Sequence, residues 1–217
     1  MTPPGGAPSH DNDRTRAHVD RVLAHVVVAG GTPAEWLDMS ARAWKSRLQA
    51  LADGASAAGA HWVTLLPHHG EDFDDERMGE YRRLLEATGK VSVVDYGSRE
   101  RYVWQIDSGL SVIVDPVADG HRRFAEVVEG LRVSGARADD IDEESLSVAL
   151  LAPAAAEPDL VVVLGPPDLL PDSMVWELAY SELVFLDLAW GDFNATHLEL
   201  AIDDFNRRHR RFGGLDS

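Results

Sequence analysis

The sequence predicts an α/β domain with a mostly parallel central sheet flanked by helices. Three observations predict it. Short β-branched apolar runs recur along the chain, among them His25-Val26-Val27-Val28-Ala29 and Asp159-Leu160-Val161-Val162-Val163-Leu164. Runs without polar alternation suit strands covered on both faces, the habit of parallel sheets. Between them lie stretches whose apolar residues recur at helical spacing, so strands and helices alternate.

Composition sets the bounds. With 217 residues, 45% of them hydrophobic and 26% charged, the chain suits one domain with a sizeable core. A net charge of -17 argues against a nucleic-acid or anionic-membrane surface, since both need clustered Lys and Arg. No Cys is present, which removes disulfides, thiolate chemistry and cysteine zinc sites. No apolar run is long enough to span a membrane, and the first residues lack an apolar signal core, so a cytoplasmic protein is expected. Residues 1–18 are rich in Pro, Gly, Asp and Asn and read as a disordered tail. A single domain is expected over 19–214.

In chain order, the strand at His25 ends at Gly30-Gly31, a tight turn. Thr32 would cap a following helix and Pro33 would fill its first position. That helix is expected to run through Trp36, Leu37, Ala41, Trp44, Leu48 and Leu51. The glycine turn could cradle a phosphate or be a plain strand-to-helix turn. A second strand, His61-Trp62-Val63-Thr64-Leu65-Leu66, leads to Pro67-His68-His69-Gly70. Adjacent histidines on a strand point to opposite faces, which argues against a shared metal site. Residues 74–88 read as a helix with Met78, Tyr81, Leu84 and Leu85 on one face. Residues 91–96 and 110–115 read as strands. Residues 119–133 are amphipathic through Phe124, Val127, Val128 and Leu131, with Arg122 and Arg123 expected on the solvated side. Ile141-Asp142-Glu143-Glu144 opens a helix with acidic residues at its N-terminus. Residues 152–158 form an Ala/Pro connector before the Asp159 strand.

The segment from Met174 to Phe193 is unusually aromatic. Val175, Leu178, Ala179 and Leu183 recur at helical spacing, and Trp176, Tyr180, Phe185, Trp190 and Phe193 add more ring area than a surface helix needs. A buried strand or a subunit contact would use it. Asn194 or Thr196 would cap a last helix through Leu198, Leu200, Ala201 and Phe205. The helix ends in Arg210-Arg211-Phe212-Gly213-Gly214, whose charges and glycine also suit an ordinary helix C-terminus.

This segment closely resembles the C-terminal signature of the cis-prenyltransferase (undecaprenyl diphosphate synthase) family. Trp176, Ala179, Tyr180, Glu182, Leu183, Phe185, Asp187, Trp190, Asp192 and Phe193 match it in register. The resemblance implies a dimer-forming segment around Trp176, Tyr180, Phe185 and Trp190. It also implies an Arg211-Phe212-Gly213 end that reaches across a dimer to the partner's substrate diphosphate, with Glu182 near the metal and diphosphate region.

Elsewhere the family's chemistry is replaced. His25 and Trp36 fall where the family has its His and Trp, but Gly31 stands for the Mg2+-carrying Asp and Glu35 for an Arg that grips the diphosphate. In the later substrate loop Val163 and Leu169 stand for two Arg, and Pro171 for a Ser; Asp168 adds a negative charge. Arg–phosphate contacts are the strong ones, and these positions supply none. The strand followed by His68-His69-Gly70 looks like the turn of the Nogo-B-receptor-type subunits, the non-catalytic partners of heteromeric cis-prenyltransferases. The resemblance therefore implies an accessory subunit without cis catalytic residues or a metal of its own. Its partner would be a catalytic homologue that holds Mg2+ and condenses isopentenyl diphosphate with an allylic diphosphate. Two rivals stand beside it: a free-standing homodimeric pseudoenzyme with a regulatory or isoprenoid-binding role, and an enzyme rewired through Asp38, Asp72 or Asp168.

Overall fold

The computed structural model describes residues 23–96, 99–179 and 181–212. The expected tail over residues 1–18, together with Tyr180, Gly213 and the side chain of Arg211, lies outside the described residues.

Seven strands form one sheet: β1 (His25–Ala29), β2 (Trp62–Leu66), β3 (Ser92–Tyr96), β4 (Arg99–Gln105), β5 (Ser111–Val114), β6 (Leu160–Leu164) and β7 (Glu182–Leu186). Their order is β3-β4-β5-β2-β1-β6-β7. The five strands from β5 to β7 are parallel, and β4 runs antiparallel to both of its neighbours. Strand β4 was not foreseen: its Arg-Glu-Arg-Tyr-Val-Trp-Gln pattern alternates only weakly, and its place comes from the flanking strands.

The helices are α1 (Pro33–Leu37), α2 (Ala41–Ser56), α3 (Asp75–Glu86), α4 (Gly120–Val133), α5 (Glu143–Leu151) and α6 (Ala195–Phe212). The single helix expected after Gly31 is in fact α1 and α2. Ser40 takes extended backbone and accepts a hydrogen bond from the Ala43 N–H, starting α2 afresh. Thr32 caps α1 in a box with Glu35: the Glu35 N–H donates to Thr32 Oγ1, and Glu35 Oε2 accepts from the Thr32 N–H at 2.9 Å.

Strand periodicity sorts the core into two layers. Val26, Val28, Val63, Val112, Leu160 and Val162 face Trp36 of α1, Trp44 and Leu48 of α2, Tyr81 of α3 and Leu198 of α6. Val27, Ala29, Val161 and Val163 face the other way, against Met174 and the half-buried Leu178. Ile113 meets Leu151 of α5 on that side. The first layer is rich in rings. Trp36, Trp44 and Tyr81 stand 5.5–6.2 Å apart, and Tyr102 of β4 closes on Tyr81 at 5.4 Å.

Two further expectations are corrected here. Arg123 is not solvated: it is 1% exposed and pairs with Glu177. Four residues before Val127, it lies on the buried stripe of α4, where only an ion pair makes a guanidinium tolerable. Arg101 Nη2 lies 2.9 Å from Asp115, and the Arg123 guanidinium lies 4.0 Å from the same carboxylate. Two cations and two anions thus cancel inside the fold. Burial disfavours a charged Arg123, but Glu177 and Asp115 outweigh it and hold its pKa above the ordinary value. The helical spacing over residues 175–183 does not give a helix either. Residues 174–179 turn irregularly, and Leu183 sits on β7 paired with Val161. Among the described residues no helix is long and apolar enough to cross a membrane.

Candidate functional site

The chain lays down β2 to one side of β1 and β6 to the other, so the strand order reverses between β1 and β6. In open α/β sheets that reversal leaves a crevice beyond the strands' C-terminal ends, the usual ligand site. Here β1 ends into Gly30-Gly31, β6 into Gly165 and β2 into Pro67-His68. A cavity of about 220 Å³ opens there, walled by Gly31, Glu35, His68, Leu164, Leu169 and Trp190 among others.

The walls decide what the site can hold. Gly31 has φ +71°, the left-handed region that disfavours a side chain. A Cβ built on it would stand 2.8 Å from Trp190 Cγ and 2.8 Å from Trp36 Nε1. Trp36 is itself pinned by its indole N–H, which donates to the Gly30 carbonyl at 3.0 Å. The space that an aspartate would need is therefore occupied by two indoles. Glu35 is the carboxylate at the rim, and Thr32 engages it through the capping box. Mg2+ wants several oxygen ligands in near-octahedral array. Among the described residues no group of three or more His, Cys, Asp or Glu could hold a metal. This donor set does not fit Mg2+.

Nor do the walls fit a diphosphate. Val163 is fully buried in β6 and contributes to the apolar layer below. Leu169 stands at the rim, 48% exposed. Among the described residues neither Arg nor Lys lines the cavity. Pro171 is buried, and Asp168 is exposed outside the wall. Of the carboxylates considered for a rewired centre, Asp72 is bonded to the Ala118 N–H at 2.6 Å and to Arg122 at 3.1 Å, where it steadies the start of α4. Asp38 ends α1.

The structure brings Gly31, Glu35, Leu169 and Trp190 together but sets Glu182 apart. Glu182 opens β7 in register with Leu160, three residues before Val163, about 10 Å along the sheet from the cavity end. The expected subunit-contact residues also divide. Trp190 is 5% exposed and buried in its own chain. It stands 6.0 Å from Trp36 and 6.2 Å from Phe193, with the Arg47 guanidinium 4.2 Å from its ring centre. Arg47 also donates to the carbonyls of Phe193 and Gly191, tying α2 to the turn that carries Trp190. Trp176 and Phe185 are half-buried. The Trp176 indole donates to Ser147 Oγ at 3.1 Å and stacks on Phe124.

His25 is equally structural. Its Nε2 lies 2.9 Å from Thr64 Oγ1 and its Nδ1 lies 2.8 Å from the Ala156 carbonyl, binding β1, β2 and the 152–158 connector together. Burial pulls its pKa down to about 4. Sequence reasoning weighed His68 only as half of a histidine pair and as part of a turn, not as a cavity wall: it follows β2 rather than lying in it, is buried, and touches the exposed His69 edge-on at 5.2 Å. The signal was Pro67, which ends the strand and cancels the opposite-faces rule.

Residues 94–213 match the family model described as "Putative undecaprenyl diphosphate synthase". The chain belongs to this prenyltransferase family. The match starts inside β3, after the turn that carries Gly31 and Glu35. "Isoprenyl transferase 2" of Bradyrhizobium diazoefficiens is 44% identical over 141 residues, which is 64% of this chain and 49% of that protein. The "Ditrans,polycis-undecaprenyl-diphosphate synthase ((2E,6E)-farnesyl-diphosphate specific)" of Lactiplantibacillus plantarum is 36% identical over 56% of this chain and 41% of its own length. The matched stretch thus spans about half the length of these curated relatives. Among solved structures, lavandulyl diphosphate synthase from Lavandula x intermedia, in complex with dimethylallyl diphosphate, superimposes with a TM-score of 0.58 at 16% identity. That superposition covers 89% of this chain and 99% of the other, and it shows the shared fold.

Proposed function

We propose that this prenyltransferase-family chain is the non-catalytic subunit of a heteromeric cis-prenyltransferase, of the Nogo-B-receptor type. The observation that carries the reading is Gly31, where two indoles fill the space of a metal-binding carboxylate. Glu35 in the capping box, Val163 in the core and Leu169 at the rim support it. So does the ring cluster of Trp36, Trp44, Tyr81 and Tyr102, which packs the layer between helices and sheet solidly and leaves little room there for a long apolar substrate. The partner is a catalytic homologue that holds Mg2+ and joins isopentenyl diphosphate to an allylic diphosphate with Z geometry. This chain supplies Arg211 and the Gly213 backbone to the partner's diphosphate, with Glu182 nearby, and the complex works in the cytoplasm.

Incorporation of labelled isopentenyl diphosphate with Mg2+ and farnesyl diphosphate tests this. The chain alone is expected to be silent, and activity is expected to rise when the chain is mixed with its catalytic homologue from the same source. The relatives' names favour a rival, that the chain itself transfers prenyl groups. Turnover by the chain alone would establish that rival. Silence in both, with no mixed complex on size exclusion, would leave a free-standing pseudoenzyme.

A further inference from the structure

The cavity beyond β1 and β6 contains two polar groups that the accessory role does not use. His68 is 3% exposed; the Leu169 backbone approaches its ring, but no close hydrogen bond forms, so at least one ring nitrogen stays open. The indole N–H of Trp190 is also buried without a partner. An unpaired buried polar group is costly, so the two on this cavity wall can be satisfied by what enters.

The His68 ring is held in place by its own backbone. The backbone N–H of His68 donates to the Gly31 carbonyl at 2.8 Å, and the backbone carbonyl of His68 accepts from the Asp172 N–H at 2.9 Å. Its Nε2 edge faces Gly165, where even an added Cβ would remain 3.9 Å away. Burial first, then the neighbouring His69, lower the pKa of His68, and the Leu169 backbone and Asp172 offset this only in part. A neutral imidazole presents one donor and one acceptor. The remaining walls are largely apolar, through Leu164, Leu169 and Leu188, with Glu35 at the rim to repel anions.

A hydroxyl answers this arrangement, because it donates and accepts through one atom. A phosphate does not, because among the described residues it meets Glu35 and no cation. Size limits the rest. A dry cavity of about 150 Å³ holds benzene, so one of about 220 Å³ takes roughly six to ten non-hydrogen atoms.

We infer that this cavity binds a small uncharged alcohol, whose hydroxyl donates to the open His68 nitrogen and accepts from the Trp190 indole N–H, and whose apolar body lies on Leu164, Leu169 and Leu188. The inference goes beyond the accessory role and needs no partner subunit.

Nitrogen-15 NMR on the full chain alone, without Mg2+, tests it. The probes are 3-methyl-2-buten-1-ol, its diphosphate, and inorganic pyrophosphate. The alcohol is expected to shift the His68 ring nitrogens and one indole N–H saturably, with the signals identified through His68→Asn. The diphosphate and pyrophosphate are expected to bind at least tenfold more weakly. Leu169→Trp, placed at the exposed rim, should close the cavity and abolish the shifts while the amide spectrum stays dispersed. The inference is overturned if the alcohol gives no saturable shift, if either phosphate compound binds as tightly, or if Leu169→Trp binds unchanged. Failure of the accessory role would show in the mixing experiment and leave this titration intact.

Discussion

Gly31 shows how one position can close a chemistry. A side chain there meets a positive φ, costing about 1–3 kcal/mol, and two indoles already in contact. Gly31→Asp is therefore expected to destabilise the fold by at least about 2 kcal/mol by urea denaturation and to restore no Mg2+-dependent turnover. His25 gives a second, pH-dependent result. Burial sets its folded pKa at about 4, below the unfolded value near 6.5. Above pH 6.5 both states are neutral there, and the group contributes no pH dependence. Between 6.5 and 4 the unfolded chain binds a proton that the folded chain refuses, so stability falls as pH falls, by about 3 kcal/mol in all. Urea melts of the parent and His25→Gln across that window check this; the variant should show a shallower slope. Trp190 marks the limit of reading residues alone. Its motif suggested a subunit contact, and only the sheet reversal, with Arg47 over its ring, sends it inward.

At the scale of elements, β1 and β6 were legible because an all-apolar run of four or five residues has few other places to go, and β2 and β5 because only Thr64 and Ser111 interrupt theirs. The breaks were harder. Ser40 restarts a helix within an unbroken apolar periodicity, and a cap of about 1 kcal/mol decides it. Strand β4 carries Arg101 and Tyr102 inward, and a buried arginine disguises a strand until its acid partner is known. Arg123 hid in the same way on α4, although its spacing to Val127 already placed it on the apolar stripe. The site was legible as a list of replaced residues, but not as a cavity, because His68 and Leu169 meet only through the topology. The buried charges also predict an asymmetry. Arg123→Ala strands Glu177 in the interior and should cost about 3–5 kcal/mol. Replacing the pair together, Arg123→Met with Glu177→Leu, should recover most of that loss in thermal melts.

At the scale of the whole molecule, the accessory role divides labour between two chains. This one keeps a stable sheet and, in the proposed complex, gives Arg211 to its partner's diphosphate. A charge-assisted contact of about 1.5–3 kcal/mol corresponds to roughly ten- to a hundredfold in turnover. Arg211→Ala is expected to lower the mixed complex's rate by that factor while the complex still elutes as one species. A structural role for the tail would instead appear as dissociation.

The three indoles of Trp36, Trp44 and Trp190, with centres 5.5–6.3 Å apart, carry an optical consequence. Chromophores at that separation and at fixed tilts couple their transitions, so the folded chain should show an exciton couplet in its circular dichroism. Excitation should also pass rapidly among the three rings. Because Trp190 forms part of the cavity wall, the crevice has a built-in dye: any occupant that tilts that ring should change both couplet and emission without a label.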